Sequence, residues 1–298
     1  PFTAGALRGG THSHSWHENG KWISFTYNDY VLEQQAKIGA NVLDQRVVGM
    51  MFPKKVEVPL DKELENNCGE MFSVIVSKVV LNAQNGSDEI EKAFDECWVK
   101  NSYNIAFQGN VRGENGELKT EIFIANIPNE IIFTTEDDLK GSFTSIPTVP
   151  QCISQKRITF TEKGISSFRH WLRSSPTGNE IYFLMEDELQ ITQIFGVELE
   201  FNQITQYTFL EHSIDSPFNV SEDGGYIVFF SDAKIYVVSL ESKRSEVVYN
   251  SNNYNSSLTG VPSFSLNRKK IYFNQFIKNK NGKNIIQLFS LENNFKTE

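Results

Sequence analysis

At 298 residues, with 39% apolar and 12% aromatic residues, the chain is long enough for one large domain or two and for a sizeable buried core. A formal charge of −9, with no basic run interleaved with aromatics, excludes a nucleic-acid surface, and no apolar run approaches the roughly 18 residues of a membrane-spanning helix. Cys68, Cys97 and Cys152, an odd number without CxxC spacing, exclude a disulfide framework and a zinc ribbon; they read as reduced thiols, with the cytoplasm ahead of the periplasm as compartment.

The first informative stretch is RGGTHSHSWHENGKWISFTYN, residues 8–28. Its second half predicts a hairpin: a tight turn at Glu18-Asn19-Gly20 followed by the alternating strand Trp22-Ile23-Ser24-Phe25. Its first half places His12 and His14 at i and i+2. On an extended strand both imidazoles leave one face, about 6–7 Å apart. His17 reads as a turn residue.

Residues 33–150 read as an insertion that breaks the rhythm of the chain. It holds strand-like runs at 71–76 and 103–108, then a hairpin turning at 113–116 and returning through 121–125. Between the runs, residues 86–98 predict one short helix: Ser87 or Asp88 can cap it, and Ile90, Phe94 and Trp98 share a face at i, i+4, i+8. Asp88, Glu89 and Glu96 would then be carboxylates on that helix. The proline-punctuated residues 129–150 read as a loop.

Repetition decides the fold. NGKWISF at 19–25 recurs as TGNEIYF at 177–183, DGGYIVF at 223–229 and NRKKIYF at 267–273, with SQKRITF at 154–160 as a fainter copy. Each has a polar turn, then Ile or its equivalent, a spacer and Phe. A further strand at 234–239 and a return through Glu246-Val247-Val248 complete four strands in about 40 residues, the length of a propeller blade. The chain is therefore expected to be all-β: a β-propeller of four-stranded antiparallel blades with TolB/WD40-like repeats, about five visible, and one short inserted helix. The blade-like units are about 8–55, 68–165 with the insertion, 166–210, 211–250 and 256–298 of a single domain over 1–298. Five blades opening at Pro-Phe-Thr suggest a piece of a six- or seven-bladed propeller whose N-terminal blades are missing.

The motifs ALRGGTHSH, FSVIVSK, GSDEIEKAFDECWV and FRHWLRSSPTGNEIYF, in that order, resemble the YidR-like proteins, an uncharacterised bacterial family with TolB-like propeller repeats. The resemblance implies a propeller and an absent N-terminal portion, and no established activity. More distantly, His12-Ser13-His14 is similar to a His-x-His pair of oligogalacturonate lyases, propellers that hold manganese through several histidines and a glutamine.

The repeat register supplies candidate site residues. His12 lies eight residues before Gly20 and His170 eight before Gly178; Ser216 and Gly260 are the equivalents in the later copies. Equivalent positions on different blades converge on one axis, so His12, His14 and His170 are the candidate metal ligands, for Mn, Fe or Zn. Arg8, Arg46, Arg169 and Arg173 are the candidate anion-binding residues at the same mouth. His212 is a further candidate for it, while Trp16, Trp22, Trp171 and Phe218 read as blade packing. No serine-hydrolase elbow, phosphate loop or dinucleotide fingerprint is present. Three functions remain: binding of a small anionic ligand, carbohydrate or peptide at the mouth; a metal-dependent lyase or hydrolase of acidic oligosaccharides; and a protein-interaction scaffold. Without the metal, no cofactor is expected.

Overall fold

The computed structural model describes residues 2–42, 45–59, 66–133, 139–251 and 257–292. It is all-β with a propeller arrangement of antiparallel sheets. Contacts divide the chain into two compact units, Pro1–Gly164 and Ile165–Glu298. No helix among the described residues is long and apolar enough to cross a membrane.

The first unit holds two four-stranded sheets. One runs β1 (Gly10–Trp16), β2 (Ile23–Asn28), β3 (Val47–Val56), β4 (Gly69–Ile75); the other runs β5 (Ala93–Trp98), β6 (Asn104–Arg112), β7 (Leu118–Asn126), β8 (Ser154–Arg157). The second unit holds two more four-stranded sheets and a last one with three strands among the described residues. They are β9 (Arg173–Ser174) to β12 (Ile204–Gln206) through β10 (Glu180–Glu186) and β11 (Thr192–Glu198); β13 (Asn219–Val220) to β16 (Ser245–Asn250) through β14 (Tyr226–Ser231) and β15 (Lys234–Ser239); and β17 (Ser257–Phe264), β18 (Lys270–Lys278), β19 (Asn284–Glu292). In each sheet the first strand is an edge, the place of the innermost strand of a propeller blade.

Aromatic and branched side chains fill the space between sheets. Met50, Phe52, Phe72, Trp98, Phe107 and Phe123 form one core in the first unit, and Tyr182, Leu184, Phe218 and Phe229 one in the second. Trp22 and Phe218 pack as expected, whereas Trp16 is exposed.

The region 33–150 is mostly ordinary blade, not insertion. Residues 69–75 complete the first sheet, because the β3–β4 ladder from Gly49↔Ile75 to Val56↔Gly69 buries Phe72 and Val74 in the core that holds Met50 and Phe52. The first unit of the repeat therefore runs past residue 55, to Ile75. Residues 86–98 are not a helix. Glu91 and Ala93 donate their amides to the Asn110 and Arg46 carbonyls, and the Glu91 carboxylate grips Arg112 Nε at 2.7 Å. The segment enters β5 because the amide pairing and burial of Ile90, Ala93, Cys97 and Trp98 outweigh the helical spacing of Ile90, Phe94 and Trp98. Among the described residues the one α-helix is α1 (Tyr30–Lys37), between β2 and β3. The fainter repeat copy SQKRITF is the outermost strand β8, and the true counterpart in this sheet is NSYNIAF at 101–107, which leads into β6. Of the predicted loop 129–150, residues 129–133 form a 3-10 turn and residues 134–138 lie outside the described residues.

Asp29 joins α1 to the first sheet. Its Oδ1 accepts the Leu32 amide as helix cap; its Oδ2 accepts Arg8 Nε at 2.9 Å, Arg8 Nη2 at 2.6 Å and the Tyr27 hydroxyl at 3.0 Å. Arg8 also donates to the Ser142 and Ser145 carbonyls at 2.5 and 3.0 Å, and its own amide donates to the Tyr27 hydroxyl. The ion pair is buried at both ends, with 1% of each side chain exposed. Replacing Arg8 by Met leaves a buried carboxylate without its cation, so the urea unfolding midpoint should fall by the equivalent of about 3–5 kcal/mol.

Candidate functional site

The innermost strand of each sheet faces a recurring problem at its start. One backbone amide of the second strand, one residue beyond the Ile-x-Phe pattern, needs an acceptor where the inner strand enters the sheet. In the first unit the strand itself supplies it: His12 pairs with Thr26 and Phe94 with Gln108. Both strands then bulge, with Ser13 at φ 60° and Asp95 at φ 49°. In the first two sheets of the second unit side chains take over, whereas β17 again uses its backbone, Thr259 pairing with Asn274 before a bulge. His170 Nε2 accepts the Leu184 amide at 3.1 Å, and Ser216 Oγ accepts the Phe230 amide at 2.7 Å. The sequence register of His12, His170 and Ser216 thus marks one structural position whose residues fill different roles.

His170 is fully buried, with Nδ1–H donating to the Phe168 carbonyl at 2.7 Å. Burial, with the nearby Arg173 charge, lowers its pKa to about 4, so it is neutral at physiological pH. Both ring nitrogens are committed, and no lone pair is left for a metal. In the first unit His12 is half-buried on β1, and His14 is exposed with Nε2 2.9 Å from Thr11 Oγ1. The bulge at Ser13 interrupts the alternation that would have put both rings on one face. Among the described residues no three His, Cys, Asp or Glu side chains are grouped to hold a metal ion.

The arginines divide in the same way. Arg8 is consumed by Asp29, and Arg46 Nε bonds Asn28 Oδ1 at 3.2 Å. Arg169 is exposed and lies over the Trp171 ring, its carbon 5.4 Å from the centroid. Arg173 stands on the inner strand β9: Nε donates to Asn219 Oδ1 at 2.8 Å and Nη1 to the Leu172 carbonyl at 3.0 Å. Asn219, at the equivalent position on β13, passes its amide hydrogen to the Pro262 carbonyl at 2.8 Å. One polar chain therefore links the inner strands of three consecutive sheets of the second unit. His17 is buried in its turn, stacked on Tyr103 and donating to the Ser102 carbonyl, while His212 is exposed.

Sequence reasoning named Glu96 only as a helix carboxylate. It lies instead in the β5 bulge, 2% exposed, where Oε2 accepts the Thr26 hydroxyl at 2.7 Å. The Asp95 amide donates to Thr26 Oγ1 at 3.2 Å, tying the two bulged sheets together. Burial raises the Glu96 pKa to about 7. The adjacent carboxylates Asp95-Glu96, set between the apolar Ala93-Phe94 and Cys97-Trp98, were the signal available in the sequence.

Residues 1–66 match a family described as a protein of unknown function (DUF3748). The chain is 35% identical over 255 residues to the uncharacterised protein YidR of Escherichia coli K12, covering 83% of this chain. It spans 60% of that relative's length. TolB from Acinetobacter baumannii superposes with a TM-score of 0.53 at 13% identity, over 94% of this chain and 54% of that one. Oligogalacturonate lyase in complex with manganese superposes with a TM-score of 0.53 at 11% identity, over 97% of this chain and 67% of that one. These two likenesses are likenesses of fold.

Because His170 is held neutral in the folded chain, its folded pKa lies below its unfolded value near 6.5. Stability should be full above pH 6.5 and fall as pH drops toward 4, and His170→Gln should flatten that window in thermal melts recorded from pH 7 to 4.

Proposed function

Starting from a YidR-like chain built of TolB-like propeller blades, we propose that it is a binding protein that recognises a small anionic group, an acidic sugar or a peptide carboxylate, through the inner strands of its second unit. The observation that carries this reading is Arg173. Its guanidinium is held in one orientation on an inner strand by the Asn219 amide oxygen and the Leu172 carbonyl. A preorganised guanidinium fork binds carboxylates with little further loss of side-chain entropy, and inner strands line the channel of a propeller. The neutral His170 beside it anchors the segment 168–173 that presents the arginine.

A metal-dependent lyase or hydrolase acting on acidic oligosaccharides is the second reading. Its support is the shared fold with oligogalacturonate lyase, and it needs ligands other than His170. A protein-interaction scaffold is the third, since the propeller fold serves many functions.

Calorimetric titration of the purified chain with a galacturonate oligomer and with a short peptide bearing a free C-terminal carboxylate tests the first reading. Binding should weaken about 10- to 100-fold in Arg173→Gln, the loss of one charge-assisted contact. Binding that survives the substitution unchanged would count against Arg173, and metal recovered stoichiometrically with the protein would favour the enzyme.

A further inference from the structure

The polar junction between the first two sheets, in the first unit, is chemically the opposite of the Arg173 site. Ser24 and Thr26 project from one face of β2 toward the β5 bulge. Thr26 donates to Glu96 Oε2, but Glu96 Oε1 has no hydrogen-bond partner although the side chain is buried. Ser24 is fully buried, and its hydroxyl and the Glu96 amide lie close enough to the carboxylate to favour its charged form, but neither reaches Glu96 Oε1 with hydrogen-bond geometry. Ser13, in the bulge of β1 that faces the same stretch of β2 between the His12↔Thr26 and Ser15↔Ser24 pairs, has a buried Oγ that is likewise unpartnered.

Among the described residues no lysine, arginine or histidine pairs with Glu96, and its sequence neighbour Asp95 adds negative charge. A buried carboxylate without a cation is costly, and so is each buried hydroxyl left without a partner. One positively charged occupant that takes several oxygen ligands removes all of these costs together. A proton satisfies only one carboxylate oxygen and one acceptor.

We propose that this junction binds one hard, oxygen-preferring cation of calcium or sodium size through the Glu96 carboxylate and the Ser24 hydroxyl, with the Ser13 hydroxyl completing the protein's share of the shell. The three proposed donors are all oxygen, the ligand type that calcium and sodium prefer and that zinc, copper and iron do not. The cation would lock the first two sheets together at their inner strands, where the Thr26 to Glu96 and Asp95 to Thr26 hydrogen bonds already join them.

The test uses the whole chain, stripped with chelator and exchanged into choline chloride. Thermal midpoints are compared after adding CaCl2, MgCl2, NaCl or KCl. Terbium luminescence sensitised by tryptophan, with Trp98 two residues from Glu96, reports occupancy directly. Calcium or sodium should raise the midpoint by about 5 °C at a hundredfold excess over Kd, and the stronger of the two should displace terbium. Glu96→Gln should raise the midpoint in choline chloride and abolish the response. Ser24→Ala, a milder change, should keep the fold and weaken the response about tenfold. The proposal is overturned if no cation moves the wild-type midpoint, or if Glu96→Gln responds as the wild type does. A midpoint that falls between pH 5 and 8 alike in every salt would overturn it by assigning a proton to the site.

Discussion

One backbone amide per sheet, the one just beyond the Ile-x-Phe pattern of the second strand, constrains how every inner strand is built. A buried N–H must have an acceptor. The first unit meets the requirement with backbone and then has an extra residue to absorb, hence the bulges at Ser13 and Asp95. The first two sheets of the second unit meet it with the side chains of His170 and Ser216, and their inner strands β9 and β13 shrink to two residues each, while β17 pairs Thr259 with Asn274 and bulges as the first unit does. The two solutions leave different chemistry at the inner edge. Bulges bury carboxylate and hydroxyl oxygens, while short strands leave room for the Arg173 to Asn219 chain.

The turn that follows is nearly invariant for a reason the residues make plain. Ser175, Ser221 and Ser265 each accept, through Oγ, the amide five residues on, at 3.2, 3.0 and 3.0 Å. Their fourth positions, Gly178, Gly224 and Arg268, adopt φ of 73°, 72° and 56°. Glycine takes that conformation without strain; Arg268 is held there with its guanidinium 2.8 Å from Asp223 and over the Tyr226 ring.

This explains what could be read from sequence and what could not. Four copies were legible because turn and strand occur together, at 19–25, 177–183, 223–229 and 267–273. The copy at 101–107 was not: its turn places the positive φ at Asn101, the first residue of the copy, whereas the others place it at the second, Gly20, Gly178, Gly224 and Arg268. The helix was misplaced for a related reason. The spacing of Ile90, Phe94 and Trp98 is compatible with a helix, but the ladder to β6 decides the conformation, and the apolar spacing of one segment does not encode its partner strand. The real helix has the weaker apolar pattern and the stronger cap: Asp29 serves as both the α1 N-cap and the counter-ion of Arg8.

The repeat register located equivalent backbone positions, not chemical roles. The register that selected His170 was sound, yet it selected a residue that solves a backbone problem, and its burial removes it from metal chemistry. Glu96 was visible only inside a helix that does not form. The same force, loss of solvation on burial, acts on both with opposite result: an imidazole sheds its proton and becomes an ordinary hydrogen-bonding wedge, whereas a carboxylate must acquire positive charge from somewhere. A buried histidine with both nitrogens satisfied needs no occupant. A buried glutamate with one oxygen satisfied does, and that asymmetry makes the first two sheets, not the histidine register, the place where this chain's composition points to a ligand.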